Sequence, residues 1–474
     1  MDTKKLRQKV LDLAIHGKLV KQDPNDEPAS ILLDRIRAEK ARLVKEGKIK
    51  KIKSVDNNKE ESYELPKGWT ITNVGDLLTN RDSERIPLSS DVRKKQKNKI
   101  YDYYGAAGVI DKVENYLFDE RLLLIGEDGA NLLSRTKDNA FFAEGKYWVN
   151  NHAHVLDCSE KAVLDYVAFI INSMNLEDYI TGSAQPKLTQ DNLNKIPIPL
   201  PPLAEQRRIV KAVDELFEQI DIIERSEKEL EEAANKTRDK LLNLAIQGHL
   251  VPQDPNEEPA SVLLERIRAE KARLVKEGKL KKKDLEEKPI SPDEIPFDIP
   301  EGWVWCRLKQ ICSKIIDGDH NPPAGLSSKT EYLMISSKNI NEDKLINLED
   351  VRFLSKGVFE KEDLRTQARK DDILFTSVGS LGRSCIIQDN SLNLCFQRSV
   401  TILTTYIFNC FLKRYLDSPY VQSYVDEHSS GTAQKGFYLN QMELLLVPLP
   451  PLSEQRRIVT KLEELLQEID KLKA

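Results

Sequence analysis

Pro201–Gly248 reads PPLAEQRRIVKAVDELFEQIDIIERSEKELEEAANKTRDKLLNLAIQG, with no proline or glycine between Leu203 and Gln247. It opens with paired prolines and Glu205 in the first turn, and Gly248 supplies a stop, so the stretch is bounded as one helix. Apolar residues recur at Ile209, Val213, Leu216, Ile220 and Ile223, in alternating steps of four and three. The register continues through Leu230, Ala234, Thr237, Leu241 and Leu244, with Glu227 its only charged member. A repeat of about 3.5 residues predicts one long helix with a narrow apolar seam. At about 1.5 Å per residue the rod is on the order of 65–70 Å long. Such a seam needs a partner helix.

The partner is encoded at the two ends of the chain. Pro448–Val459 repeats Pro199–Val210 249 residues further on, differing only in Ser453 for Ala204. Its seam runs through Ile458, Leu462, Leu465, Ile469 and Leu472. Arg7–Val20 matches Arg238–Val251 at an offset of 231, which sets Leu6, Val10 and Leu13 under Thr237, Leu241 and Leu244. The expectation is that the terminal helices together rebuild a second rod, packed antiparallel on the first. The chain then reads as a near-closed ring with pseudo-twofold symmetry.

The repeats continue outward. Residues 1–53 read as a helical hairpin, with a first helix ending near Gly17 and a second after Pro28, followed by the lysine run KIKKIK and the polar linker SVDNNKEESYE. The same events recur over 237–283, and RIRAEKARLVKEGK is identical in Arg35–Lys48 and Arg266–Lys279. An apolar core fixes only one face of a helix, so identity on the charged face suggests one surface presented twice to identical partners.

Between the repeats lie two diverged segments. Each opens on Pro-x-Gly-Trp (Pro66–Trp69, Pro300–Trp303) and closes on Gly-[Ser/Thr]-Ala-Gln (Gly182–Gln185, Gly431–Gln434). Short apolar runs such as RLLLIG, YWVNNHAHVL, DILFTSVG and SVTILTTY alternate with Gly and Asn turns, and Ala162–Asn172 and Ile407–Tyr415 look helical. These patterns predict mixed α/β or α+β domains with irregular sheets. The expected divisions are 1–53, 54–200, 201–285, 286–449 and 450–474.

Composition narrows the function. Of 474 residues 40% are apolar and 31% charged, with a net charge of −5, so nucleic acid would have to be gripped by local basic surfaces and not by bulk charge. No apolar run approaches the ~18–20 residues of a membrane span. MDTKKLRQKV reads as a charged helix start and not a leader. Six cysteines without CxxC spacing point to free thiols in a reducing, cytoplasmic setting.

The search for catalytic chemistry is mostly negative. Neither GxxxxGK nor GxGxxG occurs in a suitable context. Asn321-Pro322-Pro323 is similar to the Asn-Pro-Pro-aromatic loop of amino-methyltransferases, but Ala324 stands where the aromatic should be. Glu144-Gly145-Lys146 is the sort of triplet a highly charged chain contains by chance. His152 and His154, two apart in an expected strand, share a face, yet the sequence shows no carboxylate or cysteine cluster to complete a metal site. The chain looks like a reader with no catalytic residues and no metal.

Its candidate reading residues are turn-borne polar, basic and aromatic side chains. In the first segment they are Lys94, Lys95, Lys97, Tyr103, Tyr104, Asn131, Asn150, Asn151, His152, Gln185 and Lys187. In the second they are Asp319, His320, Asn321, Lys338, Asn339, Ser377, Ser380, Arg383, Gln397, Arg398, Gln434 and Lys435. Asn and Gln suit adenine edges, Arg suits guanine, and Lys or Ser suits phosphate, although Asn, Asp and Ser also populate turns for backbone reasons.

Two diverged domains, paired PLPPLxEQRRIV helices and a repeated helical hairpin resemble the specificity subunit of type I restriction–modification systems. YYGAAGVID, IGEDGANL and WVNNHAHVL in the first domain resemble recurrent target-recognition motifs. DGDHNPP, DILFTSVGSLG, FQRSV and SGTAQKGFYLN do so in the second. The resemblance implies an α+β chain in which two mixed α/β target-recognition domains are separated by a pair of long antiparallel coiled-coil helices. It implies that each domain reads one half of a split double-stranded DNA site in host defence, while the helices set the gap. It implies two modification (methyltransferase) subunits and two restriction (motor/nuclease) subunits as partners. S-adenosylmethionine, ATP and Mg²⁺ would then belong to the partners, and none to this chain. Two other readings stay open on residues alone: a coiled-coil adaptor that binds only proteins, and a stand-alone DNA-modifying enzyme.

Overall fold

The computed structural model describes residues 2–49, 65–182, 185–341, 343–431 and 435–473. Most of the lysine run at 48–53, the linker 54–64 and the Ser/Thr-Ala parts of both closing flags, with Gln434, lie outside them. The chain forms two units, Met1–Glu227 and Lys228–Ala474. Leu203–Ile246 is one uninterrupted helix of 44 residues, as the absence of breakers requires, and it contributes its first part to unit 1 and its remainder to unit 2.

In unit 1 the N-terminal helix Thr3–Ile15 lies along the first part of the long helix in the opposite direction. Arg7 pairs with Asp221 and with Glu224 at 3.5 Å, its guanidinium 5.0 Å from the Phe217 ring centre. Further along, Asp26 meets Arg208 at 2.6 Å. Val10, Ala14, Ile209, Val213 and Ile220 share one core with Trp69.

Unit 2 builds the same arrangement from the other end of the long helix and the C-terminal helix Leu452–Lys473. The offsets of 231 and 249 map Arg7 onto Arg238 and Asp221 onto Asp470, and these pair at 2.6 Å. Arg457 pairs with Glu257 as Arg208 does with Asp26. The symmetry read from the sequence is thus a repeated set of contacts within each unit.

The seam is corrected in detail. Leu216 is 38% exposed, and Ile223 and Leu6 are only half-buried. Near the end of the long helix the core is filled by Leu242, Ala245 and Ile246, with Leu241 and Leu244 at its margin; in the C-terminal helix Leu466 replaces Leu465. A straight α-helix turns once per 3.6 residues, so a strict heptad stripe drifts by about 20° per heptad and its neighbours rotate inward.

The helical hairpins close with the second helices, Ala29–Lys45 and Ala260–Lys276. Lys40 Nζ donates to the carbonyls of Gly75, Asp76 and Leu78 at 2.6, 3.1 and 2.7 Å. Lys271 Nζ does the same to Lys309 and Cys312 at 2.7 and 3.1 Å. Each lysine satisfies carbonyls that a short helix, Val74–Leu77 or Leu308–Ile311, leaves unpaired at its C-terminal end. Part of the charged-face identity is therefore internal architecture. The exposed residues Arg42 and Arg273, each linked to two glutamates of its own helix, remain as duplicated surface. Lys271→Met should cost about 1–3 kcal/mol, because it strands buried acceptors while keeping most of the volume. Urea unfolding of the variant reads this directly.

Both diverged segments share a ribbon, a four-stranded sheet and a parallel strand pair, which their sequences conceal, although the second sheet has four strands in unit 1 and three in unit 2. A two-stranded antiparallel ribbon ties entry to exit: Thr70–Asn73 with Pro197–Leu200, and Val304–Arg307 with Leu446–Leu449. Unit 1 has a four-stranded antiparallel sheet in the order Thr79–Asn80, Ala153–Asp157, Leu122–Gly126, Ala140–Ala143. Unit 2 has Cys312–Asp317, Val400–Thr405, Ile373–Thr376, Ser384–Ile386. A second sheet in each pairs two strands in parallel, Tyr101–Gly105 with Lys146–Val149 and Tyr332–Ile335 with Asn393–Phe396. The expected helices form at Lys161–Ser173 and Asn409–Leu416. All six cysteines are free. Burial pushes the thiols of Cys158 to about 11 and of Cys312, Cys385 and Cys395 to about 12, so they stay protonated and unreactive at neutral pH.

Candidate nucleic-acid interface

YWVNNHAHVL is not one strand. The chain leaves the second sheet at Val149 and enters the first at Ala153, which forces Asn150-Asn151-His152 onto the corner between sheets. In unit 2 the corner falls on Gln397-Arg398-Ser399, between Phe396 and Val400.

Main-chain hydrogen bonds hold both corners alike. Asn150 N donates to Tyr104 O at 3.1 Å, and Gln397 N to Ile335 O at 2.9 Å. Glu127 N donates to His152 O and Leu188 N to Glu127 O, both at 2.8 Å; Ser377 N donates to Ser399 O at 2.9 Å and Phe437 N to Ser377 O at 2.8 Å. A small closing loop is fixed by reciprocal bonds between Thr181 and Lys187 in one unit and Ser430 and Gly436 in the other. One backbone frame therefore presents Glu127, Asn151, His152 and Lys187 in unit 1. At the same places unit 2 has Ser377, Arg398, Ser399 and Gly436.

The side chains beneath the rims differ as well. In unit 1, Arg85 bridges Glu127 at 2.7 Å and Asp82 at 3.3 Å. Buried His154 sets Nδ1 2.6 Å from Asp82 and Nε2 2.8 Å from Leu188 O. Asp82 also accepts from Val155 N at 2.8 Å. Burial works to raise the Asp82 pKa, but the hydrogen bond and charge of His154, with Arg85, outweigh it and hold it below the usual range. Contrary to the expectation from the sequence, then, a carboxylate cluster does gather at His154: Asp82 and Glu127. Both ring nitrogens of His154 lie within hydrogen-bond distance of protein oxygens, and Arg85 bridges the two carboxylates. Lys187 adds a contact to Glu127 at 3.3 Å, and His152 meets Asp128 at 2.8 Å. In unit 2 the buried pair is uncharged, Ser377 Oγ with Thr401 Oγ1.

The candidate residues divide by burial. Lys94, Lys95, Lys97, Asn151, His152, Gln185, Lys187, His320, Asn321, Lys338, Arg383, Arg398 and Lys435 are exposed. Tyr104, Asn131, Asp319, Ser380 and Gln397 are half-buried. Four side chains lie inside: Tyr103, Asn150, Asn339 and Ser377. Leu88 N donates to the Tyr103 hydroxyl at 3.0 Å, Asn150 accepts from His152 N at 2.8 Å, and Asn339 holds Ser336 N and Oγ at 3.1 and 3.0 Å. These support the rims from below. Asn131 is likewise occupied, with Lys137 O at 3.0 Å and Asn139 at 2.8 Å. Gln434 lies outside the described residues. Asp82 and Arg85 carried no signal in the sequence, because Glu127 and His154, which they meet, are remote along the chain.

Two basic-and-amide rims on a repeated frame, joined by helices, define a paired recognition scaffold. The family model for the type I restriction modification DNA specificity domain matches residues 66–232 and 300–474, and the chain belongs to that family. It is 31% identical to the type I restriction enzyme EcoAI specificity subunit of Escherichia coli, over 99% of this chain and 90% of that one. It is 29% identical to the EcoEI specificity subunit of the same species, again over 99% and 90%. A solved chain from work on complex assembly and conformational transition of the type I restriction–modification system shares the fold, with a TM-score of 0.53 and 20% identity over 87% of this chain and 93% of that one. Among the described residues no helix is long and apolar enough to cross a membrane.

Proposed function

We propose that the chain is the DNA-specificity subunit of a type I restriction–modification complex, each unit's rim reading one half of a bipartite site. The observation that carries this reading is the repeated frame with unlike residues upon it, His152 and Lys187 against Ser399 and Gly436, with Asn151 against Arg398. Identical frames suit a common ligand, the duplex; unlike side chains suit different base sequences. The paired helices set the gap, and the duplicated Arg42 and Arg273 surfaces receive two modification subunits, with restriction subunits joining that assembly. The chain carries out no chemistry itself: S-adenosylmethionine, ATP and Mg²⁺ act on the partners.

Mapping methylated adenines genome-wide, in cells with and without this gene, tests the assignment. The expected result is a single split motif that vanishes with the gene. Unchanged methylation, or methyl transfer to DNA by the purified chain alone with S-adenosylmethionine, would overturn it. Replacing Lys94, Lys95 and Lys97 with alanine should weaken binding to all sequences alike. It should also flatten the dependence of log K on log salt by up to about 0.9 for each phosphate no longer neutralised. Titrations of the assembled complex at several salt concentrations measure that slope.

A further inference from the structure

We propose that Val109 and Ile110 form an apolar wedge that enters the base stack of the half-site read by unit 1. The proposal rests on the DNA-reading assignment above and adds a contact of a different kind from the polar rim.

Strands Tyr101–Gly105 and Gly108–Val113 form a tight hairpin. Pairing passes from Tyr103↔Asp111 to Tyr104↔Val109, so Ile110 is the additional residue of a bulge. Bulges re-aim side chains, and here two successive branched apolar residues emerge, 48% and 56% exposed. Gly105 leaves room for this: a Cβ there would lie 3.0 Å from Ile110 Cδ1. The hairpin is anchored at the reading rim. A Cβ on Gly126 would come within 2.7 Å of Ala106 O, and Asn150 N donates to Tyr104 O. A lysine-bearing helix is tied to the hairpin. Arg93 binds Asp111, the residue after Ile110, at 2.8 Å, and so fixes the short helix Ser90–Lys95, which carries exposed Lys94 and Lys95.

An apolar projection beside a lysine-bearing helix and tied to the reading rim suits a polyanion whose interior is apolar, a stacked duplex. Branched aliphatic side chains pushed between base pairs unstack one step and bend the helix. Unit 2 is an internal control. The strand at the corresponding sheet position, Arg352–Phe353, pairs without a bulge and buries Phe353.

The test uses the full chain assembled with its modification subunit, and duplexes with 2-aminopurine at successive positions of each half-site, avoiding the methylated adenine. The wild-type complex should raise fluorescence several-fold at one step of the unit 1 half-site and at none of the unit 2 half-site. Val109→Ser with Ile110→Ser should abolish the rise and weaken binding about tenfold, with the salt slope unchanged, and Ile110→Leu should preserve both. The proposal fails if the double-serine variant keeps the fluorescence rise and affinity. It fails equally if that variant no longer assembles with the modification subunit, which would make the patch a protein contact. If the wild-type complex shows no preference for its own site over a scrambled duplex, the DNA-reading assignment fails instead.

Discussion

Replacing residues 66–185 with the corresponding segment of another family member should change one half of the methylation motif and leave the other half and the gap intact. The segment opens just before the ribbon strand Thr70–Asn73 and closes at Gln185, ahead of the retained partner strand Pro197–Leu200, so the ribbon pairs an exchanged strand with a retained one through main-chain bonds. Its rim, Lys187 excepted, is carried by its own two sheets, and its buried charge network, Asp82, Arg85, Glu127 and His154, lies within the exchanged residues. Specific recognition commonly exceeds non-specific binding by about 10³-fold or more, so the switch should be close to complete. Motif mapping of methylated DNA from cells carrying the chimera is the measurement. Change in both halves would mean that the rims do not read independently.

The second large effect is on stability. Trp69→Ala and Trp303→Ala should each cost about 3–5 kcal/mol, the usual result of emptying a buried aromatic site. Each indole is about nine-tenths buried and donates through Nε1 to a buried glutamate, Glu205 at 3.1 Å and Glu454 at 2.9 Å. Burial raises the pKa of both glutamates, and the indole hydrogen bonds oppose that rise. Truncation thus leaves a cavity and removes a donor from a poorly solvated carboxylate. Gly17 and Gly248 lie against these rings with positive φ, +63° and +74°, so no other residue fits there without strain. Denaturant unfolding followed by tryptophan fluorescence should show the loss. Trp69→Phe, which keeps much of the volume but not the donor, should recover part of it.

What could be read beforehand follows from the range of the forces involved. Helix boundaries and the seam at Val10, Ile209, Val213, Ile220, Ile458, Leu462 and Ile469 were legible, because a local period dictates them. The inward rotation to Leu242 and Ala245 was not, since the heptad reading assumes about 3.5 residues per turn where a straight α-helix has about 3.6. The common topology of the two recognition segments was hidden because its strands are two to six residues long and pair across large separations. Tyr103, Asn150 and Asn339 were expected at the surface because aromatic and amide residues in turns suit both base contact and internal capping. Only their burial separates the two roles. The carboxylates beside His154 come from positions 82 and 127, a meeting that no local pattern announces.

The bonds that fix the corners at Asn150–His152 and Gln397–Ser399 are made largely by peptide groups. Exchanging the outward-facing residues therefore removes little that the fold depends on. A lineage can drift through many binding preferences while folding stays nearly constant, so a defence that must keep changing its target suffers little penalty for novelty. Glycine at 436 and lysine at 187 hold equivalent places in the two frames with the same main-chain bonds.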